Sequence, residues 1–296
     1  MGNTSISDTW ERGSSYEQYV GRWSRRVAPV FLSWLNLPIG GRWVDVGCGT
    51  GALCAAIVDH ASPSKVVGIE PSEGFLKLAS QALGTRAELQ KGSAAQLPLG
   101  NATCDAVVSG LVLNFVPDLP GALAEMARVA APRGTIAAYV WDYAGKMELI
   151  RLFWDAAVEL DPEAAKLHEG TRFPLCSQTA LRAAFESAGL REIDVLAIDV
   201  KADFGSYEDY WAPFLGGQGP APAYAMSLSE ANRSRLREKL RSKLKSGSGG
   251  AISLTARAWA IRATNQSDAD LLGNQKTQQR LTFLTGILKI WENLPK

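Results

Sequence analysis

The stretch "WVDVGCGTGALC", Trp43 to Cys54, constrains this chain more than any other. Residues of strand character run into glycines at 47, 49 and 51, and a small-residue helix follows. Glycines at alternate positions let a strand-to-helix turn bring main chain close to a ligand. In an open parallel sheet, that turn lies outside the carboxyl ends of the strands, where strand order reverses and ligands collect.

The flanking pattern supplies the sheet. "RWVDV", "KVVGI", the weaker "AELQK", "CDAVVSG" and "TIAAYVW" alternate with helical segments near Gly51–His60, from about Ser72, and after Pro120. Strand and helix in alternation imply an α/β fold, a parallel sheet covered on both faces. Further on, helices are expected at Glu148–Leu160 and Ser177–Ala188, then a strand "EIDVLAI" ending near Asp199 and a final strand "AISLTARAWAI". The spacing divides the chain into a helical lead-in over 1–39 and a main domain over 40–263. Cap elements are expected at about 143–176 and 203–250. Residues 264–296 read as a polar linker and an amphipathic helix, whose stripe of Leu281, Leu284, Ile287, Leu288, Trp291 and Leu294 would suit docking on the body or a homodimer contact.

Composition narrows the partners. Lysine plus arginine is 31 and aspartate plus glutamate is 30, a net charge of +1, which gives no general attraction to nucleic acid or to a membrane. No apolar run reaches the ~18 residues of a spanning helix, and the polar start "MGNTSISDTWERG" does not read as a signal peptide. Cys48, Cys54, Cys104 and Cys176 form no C-x-x-C pair, so buried free thiols and a cytoplasmic setting are expected, and no metal site. The one basic run, "NRSRLREKLRSKLK", places its charges two apart, around most of a helix, while Leu236, Leu240 and Leu244 share a stripe. With Ser227 and Glu230 as a capping box, it reads as an amphipathic helix with a solvated basic face.

The ligand can be narrowed from two acids. A dinucleotide loop has the spacing G-x-G-x-x-G; here it is Gly47-x-Gly49-x-Gly51, with Asp45 two residues ahead. A carboxylate beside the loop opposes a phosphate and suits a cation. Glu70 ends the next strand, about 20 residues on, where an acid can accept ribose hydroxyls. A nucleoside with a cationic tail fits both, and S-adenosylmethionine answers that description. Packing and capping roles are the plainer reading of the same residues.

With these residues in view, "VDVGCGTG", "GIEPS" and "GSAAQLPL" resemble the class I S-adenosylmethionine-dependent methyltransferases, in the small-molecule branch that includes quinone-biosynthesis enzymes. The resemblance, over roughly residues 15–262, implies a Rossmann-like seven-stranded sheet ordered 3-2-1-4-5-7-6 with its last strand antiparallel, and helical cap insertions. It implies that Asp45, Gly47, Gly49 and Gly51 border the methionine part of the cofactor, that Glu70 holds the ribose, and that Ser93 and Ala94 lie beside the adenine. Many relatives carry an aspartate where Ser93 stands. Tyr19 and Arg22 in "YVGRWS" match an aromatic and a basic residue that such enzymes place over the cofactor.

Acceptor chemistry is less marked. Methyl transfer needs alignment more than it needs a base, and a base matters for a hydroxyl or carbon acid. His168, Asp142 and Tyr143 are the candidates, against solvated or turn-closing roles; His60 reads as a helix-end residue. Asn114 stands where relatives often carry histidine. Tyr207, Trp211 and Phe214, near several glycines, suit a lid over a planar acceptor, against ordinary cap packing. The expected activity is methylation of a small organic acceptor at O, N or C. A nucleic-acid or protein methyltransferase and a cofactor-binding relative without transfer are the alternatives.

Overall fold

The computed structural model describes residues 21–216, 219–245 and 247–266. Tyr19, the first part of the lead-in, and the segment expected to form a C-terminal helix and a homodimer contact lie outside the described residues. A seven-stranded sheet carries the fold, in the order β3-β2-β1-β4-β5-β7-β6. Its strands are β1 (Arg42–Val46), β2 (Lys65–Glu70), β3 (Glu88–Lys91), β4 (Cys104–Gly110), β5 (Ala130–Trp141), β6 (Arg191–Phe204) and β7 (Ile252–Thr264). The first five pair in parallel, and β7 runs antiparallel between β5 and β6. Strand order reverses between β1 and β4, so the ends of these two strands open a crevice.

Helices cover both faces: α1 (Arg22–Leu35), α2 (Ala52–His60), α3 (Glu73–Leu83), α4 (Leu119–Val129), α5 (Glu148–Leu160), the single turn α6 (Glu169–Arg172) and α7 (Gln178–Ser187). The expected start near Ser72 is a cap: its hydroxyl accepts the Phe75 N–H at the head of α3. Asp118 does the same for Gly121 at α4, with Pro120 in the first turn. The central strands are largely buried, which explains why Val, Ile and Ala dominate them.

Between β6 and β7 the chain forms α8 (Tyr207–Trp211), α9 (Pro220–Ser227) and α10 (Glu230–Lys243), which pack against α5 as a cap. Several boundaries differ from the sequence expectation. β6 runs on to Phe204 and β7 to Thr264, because the two pair as a long antiparallel ribbon whose ladder carries polar residues that periodicity discounts. Residues 265 and 266 belong to the body as well: the Asn265 amide donates to the carbonyls of Ala127 and Ala130 at 2.9 and 3.0 Å. The α10 cap is Ser229, which accepts from Asn232 N–H, while the Ser227 hydroxyl donates to the Tyr224 carbonyl. Leu244 follows the last helical residue of α10, so Leu236 and Leu240 alone form its buried stripe.

The aromatic segment is cap interior. Phe214 stacks on Phe153 with ring centroids 4.5 Å apart, Tyr210 donates to the Leu149 carbonyl at 3.0 Å, and Tyr207 donates to the Arg237 carbonyl. All of them are buried, as is Trp211. Truncating Phe214 to Ala should therefore lower the unfolding free energy by about 3–5 kcal/mol in a urea titration, with cofactor affinity retained in the folded fraction.

Candidate active site

The glycine turn is fastened to β2 from two sides. The N–H groups of Gly47 and Cys48 both donate to the Ile69 carbonyl, at 2.8 and 3.0 Å. Glu70 then turns back: its Oε2 accepts Gly49 N–H at 3.0 Å and its Oε1 accepts Ser72 N–H at 3.0 Å. Gly47 has φ +75°, and a Cβ there would lie 2.5 Å from Val112 Cγ1, so the position admits only glycine. A Cβ on Gly49 would meet nothing within 4 Å, which leaves that part of the turn facing open space. Gly51 serves packing instead. A Cβ there would strike Leu83 at 2.8 Å, so its bareness lets α2 pack on α3.

The open space is a cavity of about 520 Å³. Asp45, the glycine turn and Glu70 form its centre, Ser93 and Ala94 one flank, and Leu111, Val112, Phe115 and Tyr139 the other. Asp45 is 1% exposed; the Cys54 thiol donates to its Oδ2 at 3.3 Å, and Oδ1 has no hydrogen-bond partner among the described residues. Burial pushes the Asp45 carboxyl up to about 7; the Cys54 hydrogen bond opposes this and the Glu70 charge adds to it. Burial raises Glu70 too, against the two main-chain N–H groups that favour its charged form. Two acids that resist ionisation together, one with an unused oxygen, form a site that a positively charged group would complete.

Comparison with known proteins agrees with this geometry. Residues 44–138, from β1 to β5, match the family model described as a methyltransferase domain. The strands that build the cavity are thus similar to those of methyltransferases. The chain is 28% identical over 190 residues to a demethylmenaquinone methyltransferase of Lactobacillus johnsonii, across 58% of this chain and 77% of that one. It is 37% identical over 105 residues to the demethylmenaquinone methyltransferase of Bacillus licheniformis, and there it covers less than half of the relative, 45%, and 34% of itself. The fold matches phosphoethanolamine N-methyltransferase 2 of Haemonchus contortus, solved with phosphomonomethylethanolamine and S-adenosylhomocysteine, at a TM-score of 0.54 and 15% identity, covering 90% of this chain and 58% of that one.

The cavity gathers Asp45, Gly47, Gly49, Glu70, Ser93 and Ala94. Other expected site residues lie outside its wall. The Arg22 guanidinium sits over the rings of Trp23 and Phe204, at 4.5 and 4.8 Å, and pairs with Asp209 at 3.6 Å. His168 caps α6 by accepting Gly170 N–H at 2.8 Å on Nδ1 and stacks on Trp154; burial lowers its pKa. Asp142 closes a turn by accepting Lys146 N–H at 2.9 Å, and Tyr143 packs against Phe173. Asn114 lies in the turn Leu113–Phe115, but the neighbouring Val112 and Phe115 face the cavity instead. Tyr207, Trp211 and Phe214 are committed to the cap.

Sequence reasoning did not find Leu111, Val112, Phe115 and Tyr139. Leu111 takes φ +63°, a conformation no side-chain pattern announces, and it swings the chain after β4 across the crevice. Tyr139 was hidden inside an apolar strand buried on both faces.

The state of Asp45 sets a pH dependence. Its folded pKa lies above the ordinary 3.8, so between about pH 4 and pH 7 the native protein holds a proton that the unfolded chain has released. Stability of the ligand-free protein should fall across that window, on the order of 1 kcal/mol per pH unit from this group. Asp45→Asn should flatten the slope in urea melts taken from pH 4.5 to 7.5.

Proposed function

We propose that the protein moves the methyl group of S-adenosylmethionine to a small, flat, mainly apolar acceptor, of the reduced naphthoquinone kind. The carrying observation is the cavity itself: acidic at the glycine turn and hydrocarbon-walled beyond β4. In this reading Glu70 accepts the ribose hydroxyls and Asp45 faces the cationic methionine end. Ser93 and Ala94 flank the adenine, with Ser93 as an uncharged hydrogen-bonding neighbour. The bound cofactor supplies an activated methyl on a sulfonium. The protein contributes alignment: Gly47 and Val112 in contact fix the turn against the far wall, so the acceptor approaches from the β4–β5 side.

The names of the curated relatives support a quinone-type acceptor for this site. A nucleic-acid or acidic-protein acceptor is less well supported, because several α10 cations are already engaged. Lys239 and Lys243 pair with Glu159, Arg237 with Glu208, and Arg233 donates to the carbonyls of Ala225, Met226 and Leu228. Asp199 and Asp194 likewise take up Arg257 and Arg262.

The test is transfer of label from methyl-labelled S-adenosylmethionine to a prenylated 1,4-dihydroxynaphthalene. Label in the organic product supports the proposal; label in added RNA or protein instead would replace it. In the same assay Glu70→Ala should weaken cofactor binding at least tenfold, roughly the loss of one charge-assisted hydrogen bond. Unchanged affinity would remove Glu70 from the ribose.

A further inference from the structure

We infer that Cys48 and Cys54 form an oxidation site, a pair of thiols at the wall of the cavity that a peroxide closes to a disulfide. The link to cofactor binding drawn below rests on the proposed cofactor placement; the chemistry of the pair does not.

Gly68 makes the pair possible. It lies in β2, opposite Asp45 of β1 in the sheet register. A Cβ on Gly68 would stand 2.8 Å from Cys48 Sγ and 3.0 Å from Cys54 Sγ, so both sulfurs occupy the room that its missing side chain leaves. The two thiols are in hydrogen-bond contact, and that bond, with burial behind it, pushes the Cys54 thiol well up. Cys54 in turn donates to Asp45 Oδ2 at 3.3 Å. Two sulfurs and a carboxyl thus form one chain of contacts.

The sulfurs differ in access. Cys48 belongs to the glycine turn and lines the cavity, so a small oxidant entering there meets it first. Cys54 lies behind it in the first turn of α2, fully buried. Cys104 and Cys176 are buried free thiols as well, and neither lines the cavity.

These positions assign the roles. The Cys48 sulfur attacks one peroxide oxygen: the S–O bond forms, the O–O bond breaks, and the other oxygen leaves as water with the Cys48 proton, giving a sulfenic acid. The Cys54 sulfur then attacks the Cys48 sulfur. The S–S bond forms, the S–O bond breaks, and a second water leaves with the Cys54 proton, which Asp45 Oδ2 is placed to carry. The two thiols lose two electrons, and the peroxide gains them.

The product alters the site. A disulfide has no S–H, so Asp45 Oδ2 loses the Cys54 donor, while Oδ1 has no partner among the described residues. That donor is what opposes burial at Asp45, so its loss leaves a carboxyl that resists ionisation further and attracts a cation less. A ligand filling the cavity in turn screens Cys48 from the oxidant.

The test treats the native full chain with hydrogen peroxide at pH 7.5, then alkylates it, digests it and reads the peptides by mass spectrometry. The peptide holding Cys48 and Cys54 should lose two hydrogens and take no alkyl group, dithiothreitol should reverse this, and Cys104 and Cys176 should stay reduced. Cys54→Ser should stop at a Cys48 sulfenic acid, trapped by dimedone. By calorimetry, oxidation should weaken S-adenosylmethionine roughly three- to tenfold, and saturating S-adenosylmethionine should slow disulfide formation. Cys48 and Cys54 both still open to alkylation, or Cys104 and Cys176 oxidised equally fast, overturns the inference. A disulfide that leaves the affinity unchanged overturns its link to Asp45. A disulfide that forms in a protein whose reduced form does not bind S-adenosylmethionine upholds the oxidation site and overturns the cofactor placement.

Discussion

The ligand side of this protein is organised around the hydrogen bond from the Gly49 main chain to the Glu70 carboxylate. It joins the turn after β1 to the end of β2, and the Ile69 carbonyl doubles the link by taking two further N–H groups. With the turn fixed, Gly49 faces open space, Gly47 meets Val112, and the far wall built from the β4 turn stands at a set distance from the near one. The two bonds to Ile69 join main chain to main chain and cost no side-chain ordering, which suits a surface that must be in place before a ligand arrives.

That rigidity is combined with electrostatic shortage. Asp45 and Glu70 are both buried, burial raises the pKa of each, and the Glu70 charge adds to the cost of ionising Asp45. Cys54 offers Asp45 one weak S–H bond and nothing satisfies Oδ1 among the described residues. All four cysteines are buried free thiols, and among the described residues no cluster of three or more metal-ligating side chains exists. A cation brought in by a ligand thus restores a charge balance that the protein leaves open. None of the described helices is long and apolar enough to cross a membrane.

The sequence made the sheet legible because its central strands are largely buried and its helices begin at Ser72, Asp118 and Ser177, residues with visible capping chemistry. Asp45, the glycine turn and Glu70 were legible for a related reason: strand ends and turns leave local signatures. The acceptor side was not. Trp211 and Phe214 have a composition that suits either a lid or a cap interior, and only packing against Phe153 and α5 decides between them. Tyr139 reads as one more apolar strand residue until its register with Gly110 is known. His168 shows the converse: a chemically able side chain whose ring nitrogen is already used as a helix cap.

Proton exchange on cofactor binding probes the buried acid most directly. S-adenosylmethionine and NAD would each be titrated calorimetrically at pH 7 into the purified protein, in two buffers of different ionisation enthalpy. S-adenosylmethionine should bind at micromolar concentration with release of a fraction of a proton, as the cation drives Asp45 to its charged form, and NAD should not bind. Binding of NAD, or of S-adenosylmethionine with no proton released, would contradict the claim that a buried, proton-holding carboxyl at the end of β1 awaits a cation.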